Sequence, residues 1–141
     1  MDVKRAYFYA PATRPLFVKI PKEDWEEGDE DKVAWLQLSL YGTRDAALNW
    51  TTTYTDFLVG TGFVKGRGCT CNFHHPRGLV MTVHGDDFTS AGSTRDLAWL
   101  KEQFESKFEI TAKVLGPEAG QEREIRVLNR VLRWESAGVV Y

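Results

Sequence analysis

The sequence predicts a single α+β domain in which short strands are combined with two amphipathic helices. Of its 141 residues, 43% are hydrophobic and 13% are aromatic, which is enough to bury a core. Short runs of β-branched and aromatic residues are bounded by Gly, Pro and Asp, as is typical of strands joined by turns. Two longer segments repeat apolar residues every three or four positions, as an amphipathic helix does. We therefore expect one domain that spans residues 1–141.

The N-terminal part of the chain predicts three strands. Val3 to Tyr9 is rich in β-branched and aromatic residues and ends at Ala10-Pro11, because proline lacks the donor of a strand ladder. Leu16 to Ile20 forms a second strand, which we expect to pair with Val33 to Leu38. The connection at residues 23–32 holds seven acidic residues and one basic residue. We interpret it as a solvated acidic surface loop.

Two helices are predicted from the spacing of apolar residues. The first begins near Thr43 as its N-cap and ends at Gly60 and Gly62. Its apolar face consists of Ala47, Trp50, Tyr54, Phe57 and Leu58. The second begins at Ser93, with Asp96 three residues later as a capping pair, and runs to about Phe108. Its apolar face consists of Leu97, Leu100, Phe104 and Phe108.

The remaining strands are short. Phe63-Val64, Cys71 to His74 and Leu79 to Val83 alternate or cluster apolar residues, and Pro76-Arg77-Gly78 predicts a hairpin turn between the last two. Near the C-terminus, Glu124 to Trp134 is predicted as one long, half-buried strand that pairs with Val139 to Tyr141.

The segment Leu79 to Thr89 contains the most informative local pattern. Gly85 precedes two adjacent acids, Asp86 and Asp87, between two strand-forming runs, so the pattern predicts a hairpin with acids at its tip. Gly and Asp are also ordinary turn residues, so a solvated turn is one interpretation. The other is a divalent-cation site, since a bound cation relieves the repulsion between neighbouring carboxylates.

Charge and composition indicate the cellular compartment and the kinds of partner that the chain can bind. The whole chain carries −2 and the acidic loop carries −6, so the rest carries +4, which permits nucleic-acid binding without demanding it. No apolar run is long enough for a membrane span, and no secretory leader is indicated. Cys69 and Cys71 are too close in sequence for a routine disulfide, which fits a reducing compartment. We expect an intracellular protein, in cytoplasm or nucleus, without a membrane partner.

A zinc site is the weaker interpretation of Cys69, Cys71, His74 and His75. Thiolates and imidazoles are zinc ligands, but adjacent strand residues point to opposite faces, so His74 and His75 do not both turn to one side in a regular strand. The Cys-x-Cys spacing also differs from that of common zinc sites.

The ordered motifs of the chain resemble those of copia-type retrotransposon reverse transcriptases. The resemblance is carried by Asp2-Val3-Lys4-Arg5-Ala6-Tyr7-Phe8, by the run from Leu38 to Trp50 that contains Tyr41-Gly42, and by the Asp86-Asp87 hairpin. Phe104 to Glu109 and Leu115-Gly116 resemble the following helix and the segment after it. Two segments depart from the pattern: His84-Gly85 replaces an aromatic and a small apolar residue, and Arg44-Asp45-Ala46-Ala47 replaces Lys-Gln-Ala-Pro.

The resemblance implies a fold and a reaction. The fold is a palm-like antiparallel sheet of the ferredoxin or RRM type, with two packed helices. The reaction is RNA-directed DNA synthesis by two-metal nucleotidyl transfer. Asp2, Asp86 and Asp87 are then the catalytic and metal-binding residues, and Mg²⁺ is the implied cofactor, with Mn²⁺ as a substitute.

The resemblance also implies nucleotide-binding residues and partners. Tyr7 matches the aromatic residue beneath the sugar of the incoming nucleotide, Tyr41 and Gly42 match the turn that supports it, and Arg5 and Arg44 are suited to phosphate. The alternative interpretation of Tyr7 is an inward-facing strand residue. The alternative interpretation of each arginine is an ordinary surface residue. The implied partners are an RNA or DNA template-primer and deoxynucleotides.

By the same resemblance, the sequence matches only part of a palm, without fingers or thumb, so we expect little polymerisation by the chain alone. Two alternatives stay open. One is a non-catalytic nucleic-acid-binding module that stacks bases on Tyr7, Phe8 and Phe88. The other is an inactive remnant of a retroelement. An exposed sheet edge also predicts a homo-oligomer.

Overall fold

The computed structural model describes residues 1–141 and confirms the α+β class, with two α-helices and antiparallel strand pairs. In chain order its elements are β1 (Asp2–Val3), a 3₁₀ helix (Ala6–Tyr9), β2 (Phe17–Lys19), a 3₁₀ helix (Lys22–Asp24), β3 (Val33–Trp35), α1 (Ala46–Gly60), β4 (Val64–Lys65), β5 (Asn72–His75), β6 (Leu79–His84), β7 (Asp87–Ala91), α2 (Thr94–Glu105), β8 (Ile110–Thr111), β9 (Glu124–Val127), β10 (Arg130–Glu135) and β11 (Gly138–Val140). Neither helix is both long enough and apolar enough to cross a membrane.

The chain divides into two compact units. The first unit consists of Met1–Lys4 and Gly66–Tyr141, and the second consists of Arg5–Lys65. A single domain spanning residues 1–141 stays a prediction.

The main sheet of the first unit has the strand order β5, β6, β7, β1, β8. In β6 the buried residues Leu79, Met81 and Val83 alternate with exposed ones, which is the pattern of a strand with one covered face. The Phe88 ring of β7 contacts the Phe104 ring of α2, with 4.9 Å between ring centroids. The helix therefore covers the apolar face of the sheet.

Helix α2 begins where the sequence predicts. The Ser93 side chain accepts a hydrogen bond from the Asp96 backbone N–H, which is the expected N-cap interaction. The helix ends at Glu105, slightly before the predicted end, and Phe108 remains buried in the turn that follows.

The prediction of one long strand from Glu124 to Trp134 is wrong. The segment forms a hairpin of β9 and β10, and the turn between them places Leu128 and Asn129 at φ values of 45° and 66°. Asn tolerates this left-handed conformation well, and two consecutive positive φ values give the tight turn that matches strand twist. The predicted pairing with the C-terminal strand is confirmed, since β10 pairs with β11.

The predicted strand from Val3 to Tyr9 is also wrong beyond its first residue. Arg5 adopts a left-handed conformation at φ 55°, which ends the extended path after β1 and starts the 3₁₀ helix Ala6–Tyr9. Burial of Ala6 and Ala10, both fully inaccessible, accompanies this turn. Strand propensity is overridden here by tertiary packing.

The second unit contains the predicted pair of β2 and β3 and the first helix. Phe17 pairs with Trp35 and Lys19 with Val33. The helix begins later than predicted: the Thr43 hydroxyl donates to the Leu40 carbonyl, 2.7 Å away, instead of capping it. Its Gly60 end is confirmed.

The buried face of α1 follows a spacing of four residues. Ala46, Trp50, Tyr54 and Leu58 are buried, together with Asn49. Ala47, predicted on this face, is exposed, and Phe57 is half-buried. Relative to the predicted face, the buried face of α1 therefore contains Ala46 in place of Ala47.

Candidate active site

The three predicted carboxylates lie at one end of the main sheet. Asp2 and Asp87 are register partners of the antiparallel strands β1 and β7. Asp86 precedes Asp87 in the turn, and its backbone carbonyl accepts a hydrogen bond from the Val3 N–H at 3.1 Å. Strand pairing thus brings Asp2, from the N-terminal motif, next to Asp86 and Asp87, from the hairpin motif more than 80 residues later.

The turn that presents the acids is the predicted hairpin. His84 and Asp87 are the last register partners of β6 and β7, so Gly85 and Asp86 form a two-residue connection. Gly85 has φ 65°, a conformation in which a side chain is strained. Glycine at this position therefore supports the tight turn that carries Asp86.

The acids repel one another. Partial burial raises the pKa of Asp2 above its usual value, and the negative charges of Asp86 and Asp87 raise it further. A positive charge among the three side chains would lower the energy of the ionised cluster.

The ligand chemistry of the three acids is that of a magnesium site, but the structure shows no formed metal site. Carboxylate oxygens are the hard ligands that Mg²⁺ prefers. No group of three or more His, Cys, Asp or Glu side chains is arranged so that it could hold a metal ion. Mg²⁺ usually keeps several waters and takes only one or two protein carboxylates together with substrate phosphates, so the acids do not need to form a closed cage.

Two cationic residues that sequence reasoning missed line a cavity with these acids. The cavity has a volume of about 190 Å³, and its walls include Asp2, Asp87, Lys113 and Arg126. Lys113 follows β8, whose Thr111 is the register partner of Asp2. The sequence offered no signal for this grouping, because it depends on the pairing of β1 with β8 and on the position of the β9–β10 hairpin.

The predicted nucleotide-binding residues lie in the second unit, and two of them are in contact. The Tyr7 and Tyr41 ring centroids are 4.4 Å apart, and the Phe8 ring meets Tyr41 edge-on at 5.9 Å. Tyr7 is half-buried in the 3₁₀ helix, whereas Tyr41 is 47% exposed. The fold therefore joins the two predicted aromatic residues into one surface.

The other predicted residues of this group occupy turns. Arg5 is exposed at the left-handed position before the 3₁₀ helix. Gly42 has φ 84°, which supports a turn directly after Tyr41. Arg44 is exposed in the segment that leads into α1.

The alternative base-stacking surface is not formed as predicted. Phe88 is buried beneath α2, with only 1% of its surface exposed, so it has no face available to a base. Tyr7 and Phe8 lie in a 3₁₀ helix and not in the sheet. The cysteine and histidine segment also does not form a four-residue cluster: Cys69 and Cys71 are exposed free thiols, and the His75 ring packs against Trp99, 5.1 Å between centroids.

Comparison with known proteins identifies the family. Residues 1–128 match the model of the family described as reverse transcriptase (RNA-dependent DNA polymerase). The chain belongs to this reverse transcriptase family. The match includes Asp2, Asp86 and Asp87 and ends inside the β9–β10 hairpin.

Curated relatives refine this assignment to the copia type. The Transposon Ty1-GR3 Gag-Pol polyprotein of Saccharomyces cerevisiae is 28% identical over 138 residues, which cover 87% of this chain and 8% of the polyprotein. The Truncated transposon Ty1-A Gag-Pol polyprotein of the same yeast is 26% identical, with 87% and 11% covered. The chain thus spans about a tenth of the length of these relatives. No solved structure matches it.

Proposed function

We propose that Asp2, Asp86 and Asp87 form the metal-binding centre of two-metal nucleotidyl transfer in RNA-directed DNA synthesis. The observation that carries the proposal is the register of β1 and β7, which sets Asp2 opposite Asp87 and beside the turn bearing Asp86. Because the chain spans only 8% of the Ty1-GR3 polyprotein, polymerisation is proposed for the reverse transcriptase to which this segment corresponds. For the chain itself, we propose divalent-ion binding.

The proposed reaction joins the 3′-hydroxyl of a primer to the α-phosphorus of a deoxynucleotide and releases pyrophosphate. When bound, Mg²⁺ or Mn²⁺ would supply charge stabilisation to this phosphoryl transfer. Asp2 and Asp86 would hold the ions, with Asp87 alongside. Lys113 and Arg126 add positive charge to the same cavity, which favours a phosphate group there.

The contact of Tyr7 with Tyr41 supports a proposed role in nucleotide binding. The two rings contact each other at an interplanar angle of 42° and together offer apolar area suited to the carbon face of a sugar. We expect Tyr7→Ala to reduce any preference of the chain for a deoxynucleotide over the matching ribonucleotide. Fluorescence titration with both nucleotides, in the presence of Mn²⁺, measures that preference.

The decisive experiment for the metal centre is calorimetric titration with Mg²⁺ and Mn²⁺. The parent chain is compared with the double variant Asp2→Asn and Asp86→Asn. A matched control, Asp56→Asn with Glu102→Gln, also removes two negative charges, both from exposed positions on helices. Binding by the parent and the control, but not by the acid-cluster variant, supports the proposal.

Two other results would favour the alternatives. A folded parent chain that binds neither ion contradicts the metal centre, and the inactive remnant then becomes the better description. Salt-dependent binding of single-stranded nucleic acid that survives Asp86→Asn, without metal binding, favours a non-catalytic nucleic-acid-binding module. Circular dichroism of each variant verifies folding.

A further inference from the structure

The two cysteines of the chain lie in one tight turn. The Asn72 backbone N–H donates to the Cys69 carbonyl at 3.2 Å, so the four residues from Cys69 to Asn72 form a β-turn. Cys69 is the first residue of this turn and Cys71 is the third. Both are exposed free thiols. We call residues 69–72 the thiol turn.

Backbone hydrogen bonds anchor the thiol turn on two sides. The Gly66 N–H donates to the Asn72 carbonyl at 2.7 Å, and the Val83 N–H of β6 donates to the Cys71 carbonyl at 2.9 Å. Gly66 lies so close to the turn that a Cβ there would be 2.6 Å from the Cys69 carbonyl oxygen. These contacts keep the backbone of both cysteines in one compact arrangement.

The spacing of the two cysteines within the turn is that of a disulfide. Consecutive Cα atoms are about 3.8 Å apart and the chain bends in a β-turn, so its first and third Cα atoms are separated by about 5–6 Å. Disulfide-bonded cysteines have Cα atoms roughly 4.4–6.8 Å apart. With one residue between the cysteines, the ring that a disulfide closes is small and strained, and an exposed, strained disulfide is readily reduced. The spacing therefore fits a reversible disulfide and not a structural one.

A small disulfide in solution has access to both thiols. Cys69 and Cys71 are exposed, and residues 64–75, which include the turn, contain Lys65 and Arg67 and no acidic residue. Glutathione disulfide is an anion, so the charges of this segment attract it. Exposure and local charge therefore both favour attack on such a reagent.

We propose that Cys69 and Cys71 form a reversible redox pair that is oxidised by glutathione disulfide. One protein thiolate attacks a sulfur of glutathione disulfide, which forms a mixed disulfide and releases one glutathione thiolate. The second protein thiolate attacks the protein sulfur of the mixed disulfide, which forms the Cys69–Cys71 bond and releases the second glutathione. Two protein thiols are oxidised, one glutathione disulfide is reduced to two glutathione thiols, and the two protons pass from the protein thiols to the released glutathione.

The anchored turn decides which product accumulates. Because the turn holds the second thiol near the first, closure of the internal bond is an intramolecular reaction with a high effective concentration. The mixed disulfide is therefore short-lived. Two independent exposed thiols would instead each retain a glutathione.

Oxidation of the reduced full chain by glutathione disulfide tests the proposal. After an acid quench and alkylation of the remaining thiols, intact-mass spectrometry measures free thiols and bound glutathione. The parent is expected to lose two hydrogen atoms, to bind no alkylating reagent and to carry little glutathione, and peptide mapping is expected to find Cys69 bonded to Cys71. Excess reduced glutathione should then restore both thiols.

Single-cysteine variants are the matched controls. Cys69→Ser and Cys71→Ser each keep one exposed thiol of the same turn, so their oxidation stops at the mixed disulfide. We expect the glutathione adduct to be about tenfold or more abundant in each variant than in the parent, because the second thiol of the parent displaces the glutathione.

A parent that accumulates glutathione adducts or disulfide-linked dimers without a Cys69–Cys71 bond overturns the proposal, since the two thiols then react independently. So do thiols of the parent that stay reduced, and so does an internal bond that excess reduced glutathione fails to open. Circular dichroism verifies that each protein is folded. The variants leave Asp2 and Asp86 unchanged, so the result is independent of the proposed metal centre.

Discussion

Asp2 lies directly opposite Asp87 across the antiparallel strands β1 and β7. The relationship arises because the two-residue strand β1 is inserted between β7 and β8, with Asp2 also paired to Thr111. Strand β1 contributes one side chain, that of Val3, to the hydrophobic core. Its main consequence is to deliver a third carboxylate to the end of the hairpin that already carries two.

Removal of the positive charge of Lys113 should strengthen metal binding. Lys113 lines the same cavity as Asp2 and Asp87, so its charge opposes a cation there. We expect Lys113→Met to raise Mn²⁺ affinity on the order of threefold in calorimetric titration. Lys107→Met, on the exposed side of the turn after α2, is the control and should leave the affinity unchanged. Weaker binding in Lys113→Met would contradict the expected repulsion.

Substitution of Gly85 should destabilise the acid hairpin. An added Cβ meets no neighbouring atom, so the cost comes from the backbone conformation at φ 65° alone. We expect Gly85→Ala to lower the free energy of unfolding by about 1 kcal/mol, and Gly85→Asn to cost less, because Asn tolerates the left-handed region. Urea denaturation measures both. Equal stability of all three proteins would show that the turn relaxes to another conformation.

Stability should decline in acid through Asp96. Its carboxylate accepts a hydrogen bond from the Ser93 hydroxyl at 2.6 Å and one from the Arg77 guanidinium at 3.2 Å. These interactions, led by the Ser93 hydrogen bond, hold the pKa of Asp96 below its usual value. Because the folded-state pKa is the lower one, the contribution is complete above the unfolded pKa of about 3.9 and is lost as pH falls through the folded pKa.

Thermal unfolding between pH 2 and pH 6 measures this contribution. Asp96→Asn should flatten the fall in the melting temperature below about pH 4. Glu102→Gln, an exposed position on the same helix, is the matched control. An unchanged slope in Asp96→Asn would assign the acid sensitivity to other carboxylates.

The polar network around Asn49 should stabilise the second unit. Asn49 is buried, donates to the Ser39 hydroxyl and accepts from the Thr13 hydroxyl, both at 3.0 Å. Asn49→Ala removes one hydrogen-bond partner from Ser39 and one from Thr13. We therefore expect the free energy of unfolding, measured in denaturant, to fall by about 1–3 kcal/mol. Leu48→Ala, the exposed neighbour on the same helix, should change stability by less than about 0.5 kcal/mol.

Local patterns predicted several elements well. Ser93 with Asp96 identified the start of α2, because a capping interaction involves residues three positions apart. Gly85 identified the acid hairpin, because glycine before a polar residue favours a tight turn between strand-forming runs. Helix α1 was predicted with the correct end but with its N-cap at Thr43, two residues before the observed N-cap Asp45, since the Thr43 hydroxyl donates to the Leu40 carbonyl.

Errors arose where distant residues decide the local conformation. Val3 to Tyr9 has strand propensity throughout, yet the chain turns at Arg5, and Ala6 is fully buried. Glu124 to Trp134 alternates like one strand, yet it reverses at Leu128 and Asn129 to pair with itself. In both cases the competing interaction is absent from the local sequence.

The sequence alone determined the family and the α+β class, and it singled out the three acids of the proposed site, because each depends on residue types in a recognisable order. Only the tertiary structure decided that Asp2 meets Asp87, that Lys113 and Arg126 share their cavity, and that Phe88 is buried while Phe17 and Trp35 are exposed. The physical reason is that strand register and burial are set by contacts between residues far apart in the chain, which local patterns do not encode.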